Sequence, residues 1–177
     1  DTDLLVPPEL RATALRVLEE LGYRRTGGPA GRYVGYQRQM QRVDARGVIH
    51  NIDLHWRLSD VQTFAWLFDF ADLDSAALPV PALNPSARRL GNAHALLHCL
   101  LHRAGNNQYA APGFGDRLIW LYDMHLLVTA MSRAELDDFR GMVERKGLGA
   151  VAHNGLKRCA ESFPSPELSA LIAAVES

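Results

Sequence analysis

The stretch DTDLLVPPEL, residues 1–10, decides how the first part of the chain folds. Its polar start is followed by the apolar run LLV, which predicts a short strand that ends at Pro7. Because proline suits the first turn of a helix, we expect a helix to follow directly. Apolar residues then recur at helical spacing, and Gly22 is a typical residue to end the helix. The chain therefore opens with a strand-to-helix unit.

Two further segments predict a β-hairpin. YVGYQRQMQRV (33–43) and GVIHNIDLHWRL (47–58) flank a turn-like stretch at 44–47. In the second segment apolar and polar residues alternate, so one face is expected to pack on a core. The opposite, polar face is available for chemistry, and it carries Asn51, Asp53, His55 and Arg57.

Beyond Asp60 the apolar spacing becomes helical. We expect one helix over residues 60–73, a proline-containing connector near 77–85, and then further helices. One of these helices begins with a capping box, because Ser132 stands three residues before Glu135. The long polar stretch 104–116 is predicted to be a loop.

The fold class is therefore α+β, with a domain boundary near residue 76. A mixed α/β lobe occupies 1–76, and an all-helical part occupies 77–177.

Composition limits the function classes. The chain has 177 residues, of which 47% are apolar and 22% are charged, with a net charge of −1. This is enough apolar material for a core, and without a basic surplus stable nucleic-acid binding is not expected. Two cysteines do not make a disulfide framework, and the longest apolar run is too short to span a membrane. We expect a cytoplasmic protein.

The aspartates are the main candidates for chemistry. Asp1 and Asp3 are two residues apart on the predicted strand, so their side chains leave the same face. Carboxylate oxygens suit Mg²⁺, and a third carboxylate, Asp53, on a neighbouring strand would allow two ions about 3.5–4 Å apart to act on a phosphoryl group. Alone, the D-x-D pattern is a weak signal that more often reflects a solvent-facing or turn-capping role.

Several motifs together give the chain a family resemblance. DTDLLVPPEL, LEELGYR and NIDLHWRL, with HCLLHRA and RLIWLYDMHLL further on, resemble the uncharacterised nucleotidyltransferase family of the DNA polymerase β-like superfamily. The resemblance implies a polymerase β-like mixed sheet followed by helices, with Asp1, Asp3 and Asp53 as catalytic metal ligands. It also implies transfer of a nucleoside monophosphate from a nucleoside triphosphate, expected to be ATP, to an acceptor hydroxyl of a small molecule or protein.

That superfamily carries a glycine-containing motif, which holds the triphosphate, ahead of the first aspartate. The sequence starts at Asp1, so we expect the N-terminal part of the fold to be missing from it. The glycine-rich stretch GGPAG, residues 27–31, does not replace that motif, because it precedes a strand and is more simply a loop.

The remaining candidates are expected to bind substrate. His55 and Arg57 share the face of Asp53 and suit phosphates, although a solvated sheet face is an equal alternative. His102 matches the histidine-bearing helix of the family. With His94 and His98 it forms an i, i+4, i+8 row on one helix. An i, i+4 pair can chelate zinc, but three residues spanning two turns cannot all reach one ion.

Two other classes of function remain open. A catalytically inactive nucleotidyltransferase-fold protein would act as a regulatory or antitoxin-like binding partner of another protein. A helical metal-binding protein would instead use the histidine row.

Overall fold

The computed structural model describes residues 2–26, 35–109 and 116–176, apart from the side chains of residues 108 and 109. The chain divides into two compact units, Asp1–Asp72 and Leu73–Ser177. The first unit is a mixed sheet with helices, and the second is mainly helical. The α+β class is therefore confirmed. No helix in the described ranges is both long and apolar enough to cross a membrane.

A four-stranded mixed sheet forms the first unit. Its strands are β1 (Thr2–Leu5), β2 (Arg24–Arg25), β3 (Gln37–Val43) and β4 (Ile49–His55). They lie in the order β1-β4-β3-β2, with β1 parallel to β4 and the other pairs antiparallel. The predicted opening strand and the predicted hairpin are both present.

The helix after the opening strand covers one face of this sheet. A short 3-10 helix (Pro8–Leu10) leads into α1 (Arg11–Glu20), which is followed by Gly22 at a positive φ of 88°. Leu18 of α1 packs against Met40 and Leu54 in a small core. Because burying such a side chain stabilises a fold by roughly 2 kcal/mol, this contact fixes which face of β4 looks inward.

The hairpin turn fixes the register of β3 and β4. Asp44 Oδ1 accepts hydrogen bonds from the backbone N–H groups of Arg46 (2.8 Å) and Val48 (2.9 Å). The hydrogen bond from Val48 is the main reason that the pKa of Asp44 lies below its usual value. Gly47 completes the turn at a φ of 81°, a conformation that favours glycine. The register places Asp53 on the face opposite to Leu54.

The single helix predicted over residues 60–73 is wrong. Two short helices occur instead, α2 (Gln62–Ala65) and α3 (Phe70–Ser75). The segment between them is held by Arg57, whose guanidinium lies over the Trp66 ring and donates to Asp69. These contacts of Arg57 outweigh the helical spacing of the local sequence.

Short strands and long helices make up the second unit. In the proline-containing connector, β5 (Leu78–Pro79) pairs with β6 (Arg88–Arg89), an element that the sequence did not predict. The helices that follow are α4 (Asn92–Tyr109), α5 (Leu118–Ala130), α6 (Arg133–Arg145), α7 (Gly149–Ser162) and α8 (Pro166–Glu176). The capping box of Ser132 and Glu135 at the start of α6 is confirmed.

The helices of this unit pack through leucine-rich faces. Leu96, Leu97, Leu100 and Leu101 of α4 are almost fully buried, as is Leu156 of α7. At Gly155 the two helices come so close that an added Cβ would lie 2.3 Å from Leu100 Cδ2. A side chain at this position would therefore require repacking of the core.

The loop predicted over residues 104–116 is wrong for residues 104–109, which are helical. Helix α4 continues through residue 109, whereas residues 110–115 lie outside the described residues. The polar side chains of this stretch support the helix, because Asn106 donates to the His102 carbonyl and Asn107 donates to Asp116. Asp123 of α5 is exposed, although its sequence neighbours in WLYDMHLL are mostly large and apolar.

A buried ion cluster ties α4 to the start of α5 and to α7. Arg103 Nε lies 2.6 Å from Asp116 Oδ1, and both side chains are at most 7% exposed. Arg103 also donates to Asn154 at 2.8 Å, and Arg158 donates to Asp116 at 3.2 Å. Burial alone would raise the pKa of Asp116, but the hydrogen bonds from its partners, led by Arg103, lower that pKa to about 2.

Candidate functional site

Two of the predicted aspartates lie together on the face of the sheet opposite to the core residues Met40 and Leu54, which is called the open face below. Asp3 on β1 and Asp53 on β4 are register partners in the parallel strand pair, so their side chains leave the same face. The Asp3 side chain is 69% exposed. By contrast, Asp53 Oδ1 is buried and has no hydrogen-bond partner among the described residues. A buried carboxylate oxygen without a donor is costly for a fold, and a bound cation would remove that cost.

His55 lies beside this pair. It follows Asp53 by two residues on β4, and its Nε2 is 3.4 Å from Asp3 Oδ1. The His55 side chain is 17% exposed, and its Nδ1 is buried without a hydrogen-bond partner in the described part of the chain. The contact with Asp3 becomes an ion pair when the imidazole is protonated. His55 therefore orients the more exposed of the two carboxylates.

Asp60 is a third carboxylate near the site, and the sequence reading did not propose it as a site residue. Burial raises the pKa of Asp60, and the negative charges of Asp53 and Asp3 raise it further, whereas the charge of His55 and a backbone hydrogen bond from Tyr36 oppose them. Its Oδ1 is also buried, with no hydrogen-bond partner among the residues described. The signal available in the sequence was an acidic residue just past the end of the polar-faced strand.

The donor chemistry of this cluster fits Mg²⁺. Asp3, Asp53 and Asp60 supply carboxylate oxygens, and a hard cation would give the buried Asp53 oxygen a partner that the described residues do not supply. Asp1, the remaining predicted ligand, lies outside the described residues. Within the described ranges, no three Asp, Glu, His or Cys side chains already form a group that would hold a metal ion.

Neutral side chains extend the open face beyond the carboxylates. Gln39 on β3 is the register partner of Asp53, and its Oε1 accepts a hydrogen bond from Thr26 Oγ1 at 2.9 Å. One step along the strands, Gln41 Nε2 donates to Asn51 Oδ1 at 3.0 Å. The carboxylates are thus flanked by amide and hydroxyl groups, which can donate and accept hydrogen bonds.

Arg57 is bound within the first unit. Its side chain is 14% exposed, its Nη1 donates to Asp69 Oδ1 at 3.1 Å, and its guanidinium lies 3.9 Å from the centre of the Trp66 ring. Tyr36 meets the same tryptophan in an edge-to-face arrangement with ring centres 5.9 Å apart. The Arg57 charge is therefore already paired, and its predicted contact with phosphate stays a prediction.

His102 belongs to the second unit. It is exposed on α4, with its ring centre 5.1 Å from that of Trp120 and 6.1 Å from that of His98. His94 of the same row is buried. The histidine row forms no metal-binding group within the described parts of the chain. The predicted loop GGPAG lies outside the described residues.

A comparison of the chain with protein families identifies its family. The model of a family described as uncharacterised nucleotidyltransferase matches residues 1–164. The chain belongs to this family. A comparison with curated proteins found no match. The resemblance seen in the sequence motifs is thereby confirmed, and membership of the uncharacterised nucleotidyltransferase family indicates a transferase that acts on a nucleotide.

Proposed function

We propose that the chain transfers a nucleoside monophosphate from a nucleoside triphosphate, ATP in the first instance, to an acceptor hydroxyl of a small molecule or protein. The observation that carries the proposal is the pairing of Asp3 with Asp53 on the open face of the sheet, where Asp53 presents a buried oxygen that no described residue hydrogen-bonds. Two neighbouring carboxylates on a rigid sheet suit the binding of a metal–triphosphate complex.

Asp3 and Asp53, together with Asp1, are proposed to hold Mg²⁺. Bound Mg²⁺ supplies charge neutralisation and orientation of the phosphate oxygens. Asp53 accepts the proton of the acceptor hydroxyl, and His55 holds Asp3 in place through the 3.4 Å contact. His102 remains a proposed substrate-binding residue.

The proposed reaction is balanced without a further reactant. The acceptor oxygen forms a bond to the α-phosphorus, the bond from that phosphorus to the bridging oxygen of pyrophosphate breaks, and pyrophosphate leaves. The hydroxyl proton passes to the Asp53 carboxylate and then to solvent.

Label transfer tests the proposal. The chain is incubated with Mg²⁺ and each α-phosphate-labelled nucleoside triphosphate in turn, with a cell extract as the source of acceptor. We expect labelled product from the unaltered chain, and a loss of at least about 100-fold in Asp3→Asn and in Asp53→Asn, because each change removes a charge that the reaction needs. Asp138→Asn, an exposed aspartate of α6, is the matched control and should keep full activity.

Nucleotide binding gives the decisive negative outcome. If calorimetry detects no binding of any Mg²⁺–nucleoside triphosphate to the unaltered chain, the proposed transfer is wrong. A stable complex with a partner protein, recovered together with that negative result, would favour the regulatory or antitoxin-like alternative.

A further inference from the structure

Trp66 is unusually exposed for a tryptophan that is held so firmly. It follows α2 in the first unit, and 65% of its surface is accessible. Exposed aromatic surface is unfavourable in water, and large exposed aromatic rings are enriched where proteins bind ligands or partners. The exposed Trp66 ring is therefore a candidate surface for ligand binding.

Two neighbours fix the orientation of the ring. The guanidinium of Arg57 lies 3.9 Å from the ring centre, and Asp69 anchors that guanidinium through a 3.1 Å hydrogen bond. Tyr36 packs against the same ring at an interplanar angle of 83°. A cation over an aromatic ring stabilises the arrangement when the cation is largely buried, as Arg57 is. The exposed ring is therefore preorganised.

The ring is linked through Tyr36 to the segment that carries the candidate site. Tyr36 directly precedes β3, where Gln37 is the register partner of His55. The Tyr36 carbonyl accepts a hydrogen bond from the Trp56 backbone at 2.9 Å, and the Tyr36 backbone N–H donates to Asp60. The tyrosine that supports Trp66 is thus bonded to the segment that carries Asp53, His55 and Asp60.

We propose that Trp66 is a stacking platform for the nucleobase of the nucleoside triphosphate, with Arg57 and Tyr36 as positioning residues. This inference rests on the proposed function, because that function places the triphosphate at Asp3 and Asp53. In this proposal Arg57 orients the Trp66 ring, and groups other than Arg57 bind the phosphates. Every base has a flat π-face, so stacking supplies affinity with little choice among bases.

The test compares a ligand that has a base with one that has none. Calorimetry measures the binding of Mg²⁺–ATP and of Mg²⁺–tripolyphosphate to the unaltered chain and to its variants. Trp66→Ala should weaken ATP binding by roughly tenfold, the usual loss when a stacking ring is removed, and should leave tripolyphosphate binding unchanged. Trp66→Phe keeps a ring and should restore most of the ATP affinity.

Control variants separate this inference from the proposed function. Leu83→Ala removes an exposed apolar side chain of the second unit and should change neither affinity. Asp53→Asn should weaken both ligands. Equal weakening of both ligands by Trp66→Ala, or no weakening of either, would overturn the platform while leaving the phosphate site intact. If the unaltered chain binds neither ligand, the proposed function fails and the platform fails with it.

Discussion

The two units differ in how they surround buried carboxylates with hydrogen-bond donors. In the second unit, Asp116 is surrounded by donors from Arg103, Asn107 and Arg158. In the first unit, Asp53 on β4 and Asp60 beyond that strand each have a buried oxygen for which the described residues supply no donor. The pKa of Asp116 is lowered to about 2, whereas that of Asp60 is raised.

The difference separates acidic groups that hold helices together from those that the proposed function assigns to a ligand. A buried charge that is fully paired holds helices together. Removing one partner leaves the other as an unpaired buried charge, which destabilises the fold. A cluster of like charges without partners makes a fold less stable unless a ligand of opposite charge binds. The candidate site is therefore distinguished by acidic groups that are short of hydrogen-bond donors, more than by their burial.

Breaking the structural cluster should have the largest effect on stability. Arg103→Ala leaves Asp116 buried without its main partner, so we expect the free energy of unfolding to fall by roughly 3–5 kcal/mol. Urea denaturation followed by circular dichroism measures this fall. Arg140→Ala, which breaks an exposed pair with Asp137, should cost less than about 1 kcal/mol. Similar losses in both variants would contradict a special role for Arg103.

Acid should weaken the same cluster. The pKa of Asp116 is about 2 in the folded chain, below its ordinary value of 3.8, so its contribution is present above pH 4 and is lost as the pH falls from about 4 to about 2. In Asp116→Asn this part of the pH dependence should be absent, as unfolding measured across that range would show. Asp138→Asn should keep the dependence. An unchanged slope in Asp116→Asn would contradict the assignment.

Neutralising a carboxylate of the candidate site should change the free energy of unfolding in the opposite direction. Without Mg²⁺, Asp53→Asn removes one of several like charges and should raise the free energy of unfolding by about 1 kcal/mol. Added Mg²⁺ should stabilise the unaltered chain by mass action and the variant much less, so the difference between them shrinks or reverses. Thermal melts with and without Mg²⁺ measure both effects. A destabilised Asp53→Asn without Mg²⁺ would mean that the carboxylate has a structural role.

Local signals predicted much of the first unit. Gly22 ends α1 and the turn at Asp44 and Gly47 joins β3 to β4, because glycine and aspartate determine backbone conformation over a few residues. Strand alternation placed Asp53 and His55 on one face, and the family resemblance placed Asp3 with them.

Contacts between residues distant in sequence explain the failures. The split between α2 and α3 depends on Arg57, which reaches Trp66 and Asp69 from the end of β4. The extension of α4 and the ion cluster depend on Asp116, which lies 13 residues from Arg103 and 42 from Arg158. No pattern within a single helix or strand indicates such partners.

The smallest expected effect lies at the edge of the ion cluster. Arg158 donates to Asp116 at 3.2 Å, but its side chain is 49% exposed, so water replaces much of what the contact supplies. Arg158→Ala should therefore lower the free energy of unfolding by less than about 1 kcal/mol. A double-mutant cycle with Asp116→Asn measures the coupling directly. A loss as large as that of Arg103→Ala would show that donor number, and not donor burial, determines the strength of the cluster.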